Sequence, residues 1–416
     1  MSFTNLNLIQ PILRAITEVG YVIPTPIQTE AIPSILEGKD LLGSAQTGTG
    51  KTAAFAIPIL QQIAEGQKSN TIKALILTPT RELAAQISDN FKEYGKYLQI
   101  KTAVIFGGVS QKPQTNALSR GVDVLIATPG RLLDLINQKY IKLDFIKYFV
   151  LDEADHMLDM GFIHDVKKII NLLPDKRQNL MFSATMPYEI TQLANKILTN
   201  PIRVAITPVT KTLDTINQSV FYVSKSNKLP LLTHLLKTEK IESALIFSRT
   251  KHGANKIAKT LNAANLKADA IHGNKSQTAR TQALENFKSR KISILVATDI
   301  ASRGIDIDEL SHVINFDLPD VPETYIHRIG RTARAGHNGI AYSFCTSEER
   351  KLLRDIQKHI GQNIPSSNKN PFVEEVSEVT MTSEVKSPLQ SIIQSRSRTK
   401  LSRPSSSRRG RIGPRR

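Results

Sequence analysis

Residues 45–52 read Ala-Gln-Thr-Gly-Thr-Gly-Lys-Thr, and residues 152–155 read Asp-Glu-Ala-Asp. The first run is a glycine-rich turn closed by a lysine and a hydroxyl. Gly48 and Gly50 let backbone N–H groups approach phosphate oxygens, and the N-terminus of a following helix adds its dipole. Lys51 suits β- and γ-phosphates as a point charge, and Thr52 suits Mg²⁺. The second run puts two adjacent carboxylates behind the apolar stretch Tyr148-Phe149-Val150-Leu151. In a nucleoside triphosphatase a metal ligand and a water-orienting base stand there, which assigns Asp152 to Mg²⁺ and Glu153 to the attacking water. The strict cradle pattern opens on glycine, whereas Ala45 opens this one; a chance Gly-Lys-Thr turn is the bland alternative, and the later Asp-Glu pair weighs against it. Upstream, Gln28 carries an acceptor and two donors that match the N6 and N7 edge of adenine, and Tyr21 offers a ring to stack on the base.

These groups need a scaffold. Short apolar runs such as 74–77, 103–106, 122–126, 149–151 and 180–182 alternate with stretches of helical spacing. The same rhythm returns at 244–247, 268–271, 294–296, 313–316 and 340–344. Such alternation predicts an α/β fold of two tandem domains, each a mainly parallel sheet covered by helices. In sheets of that kind binding loops lie at the carboxyl ends of strands, and most of the motifs follow a strand. Weak periodicity and two prolines over 199–212 place the hinge there. The expected domains are residues 1–207 and 208–362, followed by a disordered Ser/Arg-rich basic tail over 363–416.

The chain has 416 residues, 40% of them hydrophobic, and a net charge of +18. That balance favours polyanionic partners, nucleic acid first. Ten Lys/Arg and no Asp/Glu fall in residues 386–416, so the body carries the rest of the excess. The tail reads as a non-specific tether, with a merely solubilising segment as the alternative. A single cysteine, Cys345, excludes an internal disulfide and a cysteine zinc site, and its apolar setting suggests a packed thiol. No apolar run approaches the roughly 20 residues of a membrane span, and no secretory signal is visible; the expected location is the cytoplasm.

In order along the chain stand Phe3 with Gly20 through Gln28, then Ala45 through Thr52, and Pro79-Thr80-Arg81-Glu82-Leu83-Ala84. Next come Gly107-Gly108, Thr128-Pro129-Gly130-Arg131, Asp152 through Asp155 and Ser183-Ala184-Thr185. The second half adds Leu245 to Thr250, Val296 to Ile307 and His327 to Gly336. This series resembles the DEAD-box ATP-dependent RNA helicases of superfamily two over about residues 3–360, and the short core with a basic tail is similar to the bacterial RhlE-type members. The resemblance implies two RecA-like domains and makes Ala45 the family's own motif opening, with Gln46, Thr47 and Thr49 in the nucleotide loop. It implies arginine fingers at Arg331 and Arg334, which suit charge on a transferring phosphoryl group. It also implies a ribose contact at Asp306, and coupling of hydrolysis to closure through Asp155, Ser183, Thr185 and His327.

By the same resemblance RNA faces Thr80, Arg81, Gly108, Thr128 and Arg131 in the first half, and Arg249, Gly273, Gln277, Arg280, Thr298 and Asp299 in the second. Hydroxyls, backbone N–H groups and arginines suit phosphates and 2′-hydroxyls, which implies weak sequence preference. The helix after Arg131 would bend one strand of a duplex. Ala333 departs from the family's glycine; if that position needs a positive φ, it costs about 1 kcal/mol. The implied activity is RNA-stimulated ATP hydrolysis, with ATP and Mg²⁺, by a monomer that unwinds short duplexes or remodels ribonucleoproteins. A ribosomal precursor or an RNA-degradation complex is the candidate partner. A DNA translocase and a non-catalytic RNA clamp are the competing readings.

Overall fold

The computed structural model describes residues 2–372, apart from Gln46, Thr47, Lys68, 206–214, Lys240, Arg303, Gly304, Asp306, 308–309, 333–338 and Asn368. The residues expected to act at Gln46, Thr47, Asp306, Ala333 and Arg334, and the basic tail from residue 373 on, lie outside the described residues.

The first half opens with helices α1 (Gln10–Glu18) and α2 (Pro26–Leu36), and then strands and helices alternate. In chain order these are β1 (Leu41–Ser44), α3 (Lys51–Glu65), β2 (Ala74–Leu77), α4 (Arg81–Tyr94), β3 (Thr102–Ile105), α5 (Lys112–Ser119) and β4 (Val124–Ala127). There follow α6 (Pro129–Asn137), β5 (Tyr148–Leu151), α7 (Ala154–Asp159), α8 (Ile163–Ile170), β6 (Gln178–Ser183), α9 (Tyr188–Ile197) and β7 (Ile202–Ala205). The seven strands are all parallel, in the order β3-β4-β2-β5-β6-β1-β7. Central strands read as unbroken apolar runs because both faces are covered. Ala74 and Ile76 face the core under α3 and α4, while Leu75 and Leu77 face the opposite core, as a two-residue period requires.

The second sheet contains β8 (Ile216–Tyr222), β9 (Ala244–Phe247), β10 (Ala268–Ile271), β11 (Ile294–Ala297), β12 (His312–Asn315) and β13 (Gly339–Cys345). Its order is β10-β11-β9-β12-β13-β8, again all parallel. Two strands escape the apolar-run reading. β7 occupies part of the expected hinge, because Ile202 and Val204 alternate with Arg203 and only one face is buried. β8 carries Asn217, Gln218 and Ser219 inside its run.

The segment after 363, assigned from composition to the tail, begins as structure. Val220 N–H donates to Pro365 O at 2.9 Å and Ser367 N–H donates to Val220 O at 2.8 Å, so this strap extends the β8 edge. Asn370 donates to Tyr222 O at 2.8 Å, and Phe372 packs on the core beneath. Three polar anchors and one aromatic suffice where periodicity has already ended. No described helix is long and apolar enough to cross a membrane.

Candidate active site and RNA cleft

The phosphate loop leads from β1 into α3, whose N-cap Gly50 has φ +93°. A Cβ there would stand 2.4 Å from Gln28 Nε2, so glycine is required both by conformation and by space. Gln28 is buried: Nε2 donates to Gly50 O at 3.2 Å and Oε1 accepts from Thr25 N–H at 2.9 Å. Its amide therefore locks the start of α2 to the loop. Tyr21 is stacked on Phe3 with ring centroids 5.9 Å apart, and its hydroxyl lies 2.9 Å from Tyr94 Oη. Burial and that contact push the Tyr94 phenol far above its ordinary range.

Lys51 is buried, and its Nζ donates to Ala45 O at 3.0 Å across the loop. Asp152 ends β5 in full burial, which pushes its carboxyl up to about 6 against the pull of Lys51. Glu153 is also buried, but the hydrogen bond and charge of His156, helped by Lys51 and Arg331, outweigh burial and hold it down to about 2. His156 Nδ1 stands 3.0 Å from Glu153 Oε2. Glu153 has φ +51°, a left-handed conformation that costs an ordinary residue of the order of 1–3 kcal/mol and that clusters at functional sites.

Asp155 points the other way. Its Oδ2 accepts from Ala184 N–H, Thr185 N–H and Thr185 Oγ1 at 3.1, 2.8 and 2.9 Å, and its own N–H donates to Ser183 Oγ at 3.2 Å. Burial opposes ionisation, but the His156 charge and the Thr185 donors keep its carboxyl below the usual range. From the second half, the His327 ring meets His156 edge-on at 5.6 Å. Arg331 is buried and donates to Ile305 O at 3.1 Å, with its charge felt at Glu153. His156 escaped the sequence reading; its signal is its place three residues after Glu153, one turn along α7.

Asp152 and the Thr52 hydroxyl offer hard oxygens, and a carboxylate pushed up by burial is one that a cation would stabilise. Among the described residues no cluster of three His, Cys, Asp or Glu could cage a metal.

A cleft of about 410 Å³ runs between the halves. Thr80, Arg81, Thr128, Arg131, Gly273 and Arg280 line it, and sequence reasoning had named each; Met160, Phe162 and Ile300 line it unforeseen. Thr80 also caps α4 by accepting from Leu83 N–H at 3.3 Å. Arg81 lies on Gly108, where φ is +74° and a Cβ would come within 2.1 Å of the guanidinium. The halves are clasped here: Glu82 meets Arg280 at 2.9 Å and accepts from Gln277 at 2.8 Å, while Gln277 accepts from Arg81 at 3.4 Å. Arg131 Nη1 and Arg280 Nε are buried donors with no hydrogen-bond partner in the chain.

The side chains of two expected RNA contacts, Arg249 and Asp299, are engaged within the second half. The Arg249 guanidinium bonds Leu318 O at 3.1 Å and Glu349 at 3.3 Å, outside the cleft lining; Lys228, buried between Glu349 and Asp317, holds that carboxylate in place. Asp299 is gripped twice by Arg328, at 2.6 and 2.7 Å, which aligns the end of β11 with the helix Pro322–Ile329. Thr298 N–H donates to Ile271 O at 3.4 Å.

Two all-parallel sheets in tandem, with a phosphate-type loop on the first and a cleft between them, are the architecture of paired RecA-like domains. Residues 25–193 match the family described as DEAD/DEAH box helicase, and residues 227–336 match the Helicase conserved C-terminal domain. The DEAD-box ATP-dependent RNA helicase RhpA of Helicobacter pylori is 44% identical over 377 residues, 89% of this chain and 76% of that protein. Among solved structures, S. cerevisiae Dbp5 bound to RNA and ADP BeF3 gives a TM-score of 0.78 at 33% identity, over 88% of this chain and 95% of that one. A DEAD box protein from Methanococcus jannaschii gives 0.52 at 42% identity, over 88% and 99%. The chain belongs to the DEAD-box ATP-dependent RNA helicases, and is an RNA helicase and ATPase.

Proposed function

We propose that this helicase, with domains 1–207 and 208–362, closes on ATP and single-stranded RNA and reopens after hydrolysis, so separating short duplexes or remodelling ribonucleoproteins. The observation that carries the reading is the clasp of Glu82 on Arg280 and Gln277 at a cleft that Arg131 and Arg280 also line. The higher TM-score on the less identical relative, the one bound to RNA and ADP BeF3, supports a closed arrangement of the halves.

Lys51 and the loop Ala45–Thr52 bind the phosphates, while Tyr21, Gln28 and Asp306 form the nucleoside end. Thr52 and Asp152 hold Mg²⁺, which supplies neutralising charge when bound. Glu153 orients water and accepts its proton; low in pKa, it is ionised throughout the physiological range. Arg331 and Arg334 stabilise charge on the transferred group. Asp155, Ser183, Thr185 and His327 tie the site to closure. Thr80, Arg81, Gly108, Thr128, Arg131, Gly273, Gln277 and Arg280 hold the RNA backbone. Arg249, Thr298 and Asp299 belong to the same surface, the first after exchanging Glu349 for phosphate. The protein works as a cytoplasmic monomer, with RNA of weak sequence preference and a ribosomal precursor or RNA-degradation complex as its setting.

Steady-state ATP hydrolysis without nucleic acid, with single-stranded RNA and with matched DNA tests this. Strong stimulation by RNA alone is expected. Equal stimulation by DNA would favour a translocase, and none in any condition would favour a clamp.

A further inference from the structure

The helix α6 starts in the cleft and ends elsewhere. Gly130, Arg131 and Asp134 line the cleft. From Arg131 to Gln138 the helix climbs about 10 Å at 1.5 Å per residue. At its far end lies a second, open groove of about 690 Å³, formed by α5 and the residues that follow α6. Gln111, Lys112, Thr115, Asn116, Ser119, Lys139 and Tyr140 line it together with Leu118.

The groove has the chemistry of a polyanion track. Two lysines and no carboxylate stand in its lining, beside two hydroxyls and two amides. Tyr140 is 52% exposed, which leaves its ring open to stack on a base. The groove is also joined to the cleft by one unbroken chain of side chains. Arg131 Nε meets Asp134 at 3.5 Å, Asp134 Oδ1 accepts from Gln138 Nε2 at 2.8 Å, and Gln111 Nε2 donates to Gln138 Oε1 at 2.7 Å. The Asp134 carboxylate at the junction is thereby paired with Arg131 and Gln138.

We propose that this groove binds the single-stranded RNA flank that leaves the cleft, with Lys112 and Lys139 on phosphates and Tyr140 stacked on a base. The inference rests on the RNA reading of the cleft and extends its footprint along α6. Lysines and a ring recognise backbone and π-face, so the flank is held without sequence preference.

The test uses the full chain, a non-hydrolysable ATP analogue, and two labelled oligouridylates, one just long enough to fill the cleft and one about twice that length. The Lys112→Glu/Lys139→Glu double variant is expected to lose roughly tenfold or more in affinity for the long RNA. Its salt slope should fall by about 1.4, at about 0.7 per single-strand phosphate contact. Tyr140→Ala should lose about fivefold or more, the low end of a lost base stack. Binding of the short RNA, and ATP hydrolysis stimulated by it, should stay unchanged. An unchanged affinity and slope for the long RNA overturns the groove, as does an equal loss on both lengths. Failure of the unmodified protein to bind the short RNA overturns the cleft reading itself.

Discussion

At the scale of single residues, the site is a set of buried charges that each have an assigned opponent. Glu153 sits in a left-handed conformation, ionised, with His156 Nδ1 at 3.0 Å. Glu153→Gln keeps the shape but removes the proton acceptor. Turnover should drop by about 10²–10⁴-fold while ATP and RNA still bind together, measured by single-turnover hydrolysis and by RNA retention. Comparable turnover in that variant would refute the base assignment. His156 aims the carboxylate and touches His327 across the halves. His156→Ala should lower kcat by up to about 10²-fold with KM for ATP nearly unchanged, because misplacement harms the reacting geometry more than binding. A rise in KM with kcat intact would instead mean that His156 serves nucleotide binding.

At the scale of elements, loops between strand ends and helix starts carry most of the contacts, and their shape is set by a few backbone demands. Gly108 lets the Arg81 guanidinium lie flat on the chain. Gly108→Ala adds left-handed strain of about 1–2 kcal/mol and drives Arg81 from its place. RNA affinity should fall about tenfold or more, the worth of one charge-assisted hydrogen bond, with ATP affinity retained; titrations of both ligands decide it. The strap over 365–372 is a second such element. Ending the chain at residue 364 removes two backbone bonds to Val220 and the Phe372 contact. The loss should be about 1–3 kcal/mol relative to a chain ending at 372, read from chemical denaturation. Identical stability of the two truncations would mean that the strap contributes nothing to the fold.

At the scale of the whole molecule, pH-dependent stability and the contacts between the halves involve different groups. His312 is buried beside Tyr342 and Ser311, and burial lowers its pKa from 6.5 despite the nearby charge of Glu239. The unfolded chain thus takes a proton that the folded chain resists. The stability from this residue is complete above pH 6.5 and is lost as pH falls below it through the folded value. Thermal unfolding from pH 8 to 5 should show that decline, and His312→Gln should flatten it; an unaltered pH slope in the variant would assign the effect elsewhere. The contacts between the halves run instead through Glu82 with Arg280 and His156 with His327.

Some of this was written in the order of residues. A glycine turn ending in Lys-Thr, carboxylates behind an apolar strand and unbroken aliphatic runs are local features, because phosphate approach and strand burial are local constraints. They were enough to foresee two parallel sheets, whereas the six cleft residues were implied only by the family resemblance. The strands β7 and β8 and the strap were not legible, since edge elements are buried on one side and held by hydrogen bonds that periodicity does not record. Nor was the fate of Arg249, Asp299 or Gln28. Each of these side chains has strong donors or acceptors, and which partner it takes depends on what the fold brings within 3 Å. Local chemistry named the groups able to do the work. Tertiary structure decided which were spent on one another, placing Arg328 on Asp299 and His156 on Glu153, and which buried donors, Arg131 Nη1 and Arg280 Nε, were left without a partner in the chain.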